Sequence, residues 1–124
     1  MKYVYVFFLI ALLLQPASQI LEKIGMAKVG RITSFAELFN MATIIKIATN
    51  PLVMIGIALA VISLLFWLAT LSSWNISYLY PLGSSLSQIV LVSISVLFLH
   101  EHMTVERWMG VIIIAVGCVL LNWK

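Results

Sequence analysis

The placement of charge along this chain limits its fold more than any other feature. Residues 3–21, 47–100 and 108–123 contain no Asp, Glu, Lys or Arg, giving runs of 19, 54 and 16 residues. A helix that crosses the hydrocarbon core of a bilayer needs about 20 mostly apolar residues. The first run therefore holds one span and the middle run two. The last covers only ~24 Å at 1.5 Å per residue, but extending it back to Met103 reaches membrane thickness. Of the 124 residues, 64% are hydrophobic and 9% charged, which leaves too few polar groups to cover a water-facing surface. The expectation is an all-α integral membrane protein, one domain over 1–124 with four transmembrane helices and a short interfacial helix between the first two.

The formal net charge is +3, yet no basic patch is interleaved with aromatics as nucleic-acid binding would require. Membrane lipid headgroups account for the excess better. The single Cys118 excludes an intrachain disulfide and a multi-cysteine metal site, and reads as a small packing residue in a helix. The first 20 residues also resemble a secretory signal, with Lys2, an apolar run from Tyr3 to Leu14, and Gln15-Pro16-Ala17-Ser18. The fit to a small-x-small cleavage site is weak, so the segment is expected to stay as the first span.

Helix one is expected from about Tyr3 to Ile20, ending as Glu22 and Lys23 reach the interface. Gly25 to Asn50 carries Lys28, Arg31, Glu37 and Lys46. Ser34 and Glu37 have capping-box spacing, and Phe35, Leu38, Phe39, Ala42 and Ile45 follow at helical intervals. One amphipathic helix lying at the interface fits this stretch, and so does an ordinary connector. Helix two runs from Pro51 to about Leu71, with proline tolerated in its first turn. A link over Ser72 to Ser77 makes a tight hairpin with helix three, about Ile76 to Leu99. Thr104 is a plausible N-cap for helix four, about Val105 to Leu121, with Arg107 at its third position. Lys2 and Lys124 then share one membrane side, and Lys23, Lys28, Arg31, Lys46 and Arg107 the other. By the positive-inside rule both termini fall outside the cytoplasm.

Polar residues recur inside the spans. Gln15, Ser18, Gln19 and Glu22 share one face of helix one. Ser63, Trp67, Thr70 and Trp74 do so on helix two, as do Ser77, Pro81, Ser84 and Gln88 on helix three, with Tyr80 beside them. Such stripes face protein or a hydrated cavity, because facing lipid is costly. Interhelical hydrogen bonding is the competing reading. Three such faces imply a shared central site whose path residues are Gln15, Ser18, Gln19, Glu22, Trp67, Thr70, Tyr80, Ser84 and Gln88. Pro81 removes a backbone hydrogen bond at membrane depth, and Gly83-Ser84-Ser85 follows it, so a helix break is expected there. Helix four is almost wholly aliphatic, with Gly110 and Gly117 seven apart on one face, which reads as an oligomer-packing surface.

No acidic or basic residue lies deep in any span, whereas a proton-driven exchanger usually needs a titratable group there. Two His flanking a Glu, at His100-Glu101-His102, read as solvated turn residues. No nucleophile–base pair or metal-ligand cluster sits in a span, so neither an enzyme nor a cofactor or metal site is expected.

The order and spacing of several segments resemble a four-helix member of the drug/metabolite transporter superfamily, of the EamA-like kind. They are Gln19-Ile20-Leu21-Glu22-Lys23-Ile24-Gly25-Met26, Ala48-Thr49-Asn50-Pro51, Phe66-Trp67-Leu68, Ser77-Tyr78-Leu79-Tyr80-Pro81-Leu82, Glu101-His102-Met103-Thr104 and Arg107-Trp108-Met109-Gly110-Val111. Within that superfamily, Tyr80-Pro81 and Gln19 to Lys23 are most similar to flippase subunits for aminoarabinose-modified undecaprenyl phosphate. Small multidrug resistance exporters are more distant. Their essential helix-one Glu stands eight residues before a Lys, and here that position is Gln15, an amide that holds no proton. The resemblance implies a homodimer, or a heterodimer with a related subunit, in the cell inner membrane. It also implies a substrate site between helices one to three and packing through helix four.

The functional expectation is a transporter or flippase for a polyprenyl-phosphate-linked sugar or similar amphiphile. A small-cation or drug exporter and a non-transporting accessory subunit are the alternatives.

Overall fold

In the computed structural model, which describes residues 2–123, the chain is helical throughout, with no strand among those residues. The elements are α1 (Lys2–Val29), α2 (Phe35–Leu38), α3 (Met41–Thr49), α4 (Pro51–Leu71), α5 (Ile76–Phe98) and α6 (Val105–Asn122). Four of them, α1, α4, α5 and α6, are long and apolar enough to cross a membrane, so this is a four-helix, multi-pass membrane protein. Lys124, one of the two cations expected on the far side, lies outside the described residues.

Helix α1 is 28 residues long and continues well past the expected end near Ile20. Glu22 and Lys23 do not stop it, because charged residues with long side chains are good helix formers and their heads can leave the hydrocarbon. Termination falls instead at Gly30, whose φ of +108° suits glycine and whose N–H closes the last turn onto the Met26 carbonyl at 3.0 Å. At about 42 Å, α1 exceeds the hydrocarbon thickness, so its last two turns reach the interface.

The connector that follows contains two helices where one was expected. Ser34 caps α2 by accepting from the Glu37 N–H at 3.2 Å. The return contact of the capping box goes one residue further upstream: Glu37 Oε2 accepts from the Thr33 N–H at 2.8 Å and from its hydroxyl at 3.1 Å. The break comes at Asn40, an extended residue whose side chain accepts from the Ala42 N–H and starts α3. Asparagine competes with the helix for its own backbone and so favours caps over interiors. Phe35, Phe39, Met41 and Ile45 on this pair of helices are all exposed.

Helices α1 and α4 form the tightest pair. Small residues set their separation. A Cβ at Gly25 would meet the Val53 backbone N at 2.8 Å, and one at Gly56 would meet the Ser18 carbonyl at 2.9 Å. Further along the same seam, the Ser63 hydroxyl donates to the Ala11 carbonyl at 3.1 Å. Asn50 closes the end, with its Nδ2 donating to the Gly25 carbonyl at 2.8 Å while its Oδ1 caps α4. Helix α5 packs on α1, and α6 packs chiefly on α5. Phe8, Leu79, Leu82 and Cys118 form the buried core, with Trp67 and Trp74 beside it. At that end the Tyr78 hydroxyl pairs with Asn122 Oδ1, tying the start of α5 to the end of α6. Thr104 accepts from the Arg107 N–H and caps α6, as its position predicts.

Candidate functional site

The polar stripes of α1, α4 and α5 separate into two groups with different surroundings. Ser18 and Thr70 are fully buried, and each hydroxyl donates to its own helix, to the Gln15 carbonyl at 2.7 Å and the Phe66 carbonyl at 2.9 Å. Back-bonding of this kind lets a small polar side chain pack against a neighbouring helix at little desolvation cost. Glu22 lies over the other side of the same contact, its Cγ close against Gly56. Thr70, expected on the path, is thus buried with its hydroxyl turned onto its own helix, and Ser18 and Glu22, also expected there, belong to the α1–α4 seam. They share the stripe by angle, but that seam occupies part of its face.

The remaining six expected path residues come together. Gln15 and Gln19 from α1, Trp67 from α4, and Tyr80, Ser84 and Gln88 from α5 line one cleft of about 370 Å³. Ala11, Ser63, Gly83 and Ser87 complete its polar and small-residue wall. Among the described residues, no group hydrogen-bonds the side-chain amides of Gln15, Gln19 or Gln88; the nearby side-chain bonds are those of Ser18, Ser63 and Ser84 with backbone carbonyls. Every fully buried side-chain nitrogen and oxygen among the described residues has a partner, so the unengaged amides stand where solvent or a ligand can reach them. A dry bundle glued by interhelical amide bonds would show the opposite pattern.

Trp67 and Tyr80 meet edge-to-face across the cleft, with centroids 6.4 Å apart and an interplanar angle of 72°. Gly83 makes room for the indole, since a Cβ there would stand 2.7 Å from two of its ring carbons. Sequence reasoning passed over Ser87 and read Gly83 only as part of the segment after Pro81 that could bend. Ser84, Ser87, Gln88 and Leu91 follow the same i, i+3, i+4, i+7 rule that exposed the α1 stripe, so Ser87 was readable and was lost by following the single row 77, 81, 84, 88 along α5.

Helix α5 runs unbroken through Pro81, which corrects the expected helix break. Pro16 is likewise interior to α1. Each proline costs one backbone hydrogen bond, but flanking turns hold both helices together, and the Ser84 hydroxyl donates to the Pro81 carbonyl at 3.2 Å.

Gln19 and Leu91 also border a second cavity of about 290 Å³, which continues toward Lys23, Ser95 and Glu101. Lys23 and Glu101 form an ion pair at its end. Glu101 is carried there by the loop after α5, where His100 takes the left-handed conformation at φ 52° and the Glu101 N–H reaches the Ser95 carbonyl at 3.4 Å. Non-glycine residues rarely adopt that conformation, so the expected solvated turn at His100 to His102 has a defined backbone role in placing this glutamate.

Gly110 and Gly117 lie apart from the cleft. A Cβ at either would meet nothing within 4 Å, so within one chain they allow no close helix contact. Around them Ile112, Ile113, Val116, Val119 and Leu120 are exposed. Among the described residues, no group of three or more His, Cys, Asp or Glu could hold a metal ion. No protein-family model, curated protein or solved structure matches this chain.

Proposed function

We propose that this chain is a subunit of an oligomeric inner-membrane transporter or flippase that moves an amphiphile, such as a polyprenyl-phosphate-linked sugar, along the cleft between α1, α4 and α5. The observation that carries this reading is the set of three glutamine amides left unengaged in a cleft lined besides by serines, small residues, leucines, Trp67 and Tyr80. An amide neither carries charge nor needs to be neutralised, so it can hydrogen-bond sugar hydroxyls and phosphate oxygens in turn without trapping either. Trp67 and Tyr80 offer ring faces and edges suited to a sugar or an isoprenoid. The resemblance to EamA-like flippase subunits supports the same assignment, with a homodimer or a related heterodimer partner meeting the bare glycine face of α6.

Proton-coupled export of a small cation is less well supported, because none of the residues lining the cleft is acidic. The test is lipid analysis of the oligomer extracted without delipidation. Enrichment of a glycosylated polyprenyl phosphate over bulk phospholipid, lost in Gln15→Leu with Gln88→Leu, is the expected result. Bulk composition unchanged by those substitutions would overturn the assignment.

A further inference from the structure

A third feature of the molecule lies at the opposite end of α4 from Trp67 and takes no part in the cleft. Lys28 near the end of α1 and Lys46 near the end of α3 line a groove of about 320 Å³, together with Val29, Thr49, Asn50 and Pro51. Each lysine sits in the last turn of its helix, where a cation offsets the partial negative charge of the free carbonyls. That role needs no shared groove, and yet both side chains border one space.

The four acidic residues are engaged elsewhere: Glu37 accepts from Thr33, Glu101 pairs with Lys23, Glu22 lies against Gly56, and Glu106 is held by Thr104 at the start of α6. Among the described residues, Lys28, Arg31 and Lys46 have no carboxylate within ion-pair distance. Pro51 opens the span α4, which puts the groove at the level where hydrocarbon gives way to headgroups. Along α3, which carries Lys46 into the groove, Met41, Ile44 and Ile45 are exposed, side chains suited to acyl chains and not to water.

We infer that the Lys28–Lys46 groove is a binding site for the phosphate headgroup of an anionic phospholipid from the surrounding bilayer, with the acyl chains lying along the apolar side of α3. Two cations without acidic partners select an anion, and the adjacent apolar rim selects a lipid over a soluble ion. Occupancy would bridge α1 and α3 across the start of α4 and so stabilise that junction by mass action.

The test is thermal unfolding and native mass spectrometry of the purified oligomer titrated with phosphatidylglycerol, phosphatidylcholine or inorganic phosphate. Phosphatidylglycerol should bind and raise the melting temperature more than phosphatidylcholine does, and inorganic phosphate should have no effect. Lys28→Gln combined with Lys46→Gln should weaken phosphatidylglycerol binding on the order of 30-fold, from about a kilocalorie per mole for each lysine. Loss of the helix-end role should lower the melting temperature equally in both lipids, so the site is read from the extra stabilisation by phosphatidylglycerol, which the paired substitution should abolish. Equal effects of the two lipids, a shift produced by inorganic phosphate alone, or equal loss from Arg31→Gln outside the groove would each overturn the site.

Discussion

Gly56 and Glu22 touch so closely that a Cβ on the glycine would stand 2.7 Å from the Glu22 Cγ and 2.9 Å from the neighbouring Ser18 carbonyl. The second of these is backbone, which cannot swing aside, so α1 and α4 would have to move apart. Gly56→Ala should destabilise the protein by about 1–3 kcal/mol, the usual range for overpacking a close-fitted contact. Thermal unfolding in detergent measures it. Gly117→Ala, at a position with open space around it, is the control and should change little in the isolated protomer. Equal stability of the Gly56→Ala protein and wild type would show that the seam is looser than these distances.

This contact also marks how far the sequence could be read. Runs without charge located all four spans, because hydrocarbon tolerates so few charges that their absence is a strong signal. The starts of α4 and α6 were legible from Pro51 and Thr104, residues with intrinsic first-turn or cap preferences, and the start of α5 from the short uncharged link before it. The end of α1 was not, since the charges at Glu22 and Lys23 mark a change of solvent and not of backbone conformation. Within the cleft, stripe periodicity found which residues share an angular face. It could not tell Gln15 and Gln19 from Ser18 and Glu22, because the difference depends on where α4 lies. Gly25 and Gly56, which set that position, look in sequence like Gly110 and Gly117, which touch nothing in the chain.

The glycines of α6 yield a prediction in the opposite direction. Their open surroundings mean that a larger residue costs the protomer nothing, whereas a partner helix seated on that face would be pushed away. If the proposed oligomer packs through α6, Gly110→Leu and Gly117→Leu should preserve helical content and protomer folding by circular dichroism while reducing that oligomer to monomer in detergent. Mass determination by light scattering reads the outcome. An intact oligomer from both variants would place the interface on another helix.

The α2 cap carries a pH dependence. The Thr33 backbone N–H, then its hydroxyl, then the Ser34 backbone hold the Glu37 carboxyl below the usual glutamate range, against a smaller opposing effect of desolvation. Because the folded value is depressed, the cap's contribution is fully present above the unfolded value and is lost as pH falls through the folded one. The Thr33 amide proton resonance should stay constant from neutral pH through mild acid and shift only below the ordinary glutamate titration. In Glu37→Gln that step should vanish. A midpoint at or above the ordinary value would mean that the Thr33–Glu37 contact does not form in the membrane-bound protein.

Cysteine reactivity tests the cleft most directly. Tyr80, Ser84, Ser87 and Gln88 line it from α5, facing Gln15, Gln19 and Trp67, while Ile62 and Leu65 on α4 are exposed on the apolar outer surface. Exposure alone does not distinguish the two groups, because lipid and water both count as open space; only the polar surroundings of the first admit water and ionise a thiol. Single cysteines in a Cys118→Ala background, which removes a buried thiol from the core, should react with a membrane-impermeant thiol reagent at 84, 87 and 88 at least about tenfold faster than at 62 and 65, equivalent to about 1.4 kcal/mol or more of differential access. Adding the amphiphile proposed as substrate should slow the first group and leave the second unchanged. Equal reactivity in both groups would mean that the three glutamine amides face a dry crevice, and the transport reading would then lose the observation that carries it.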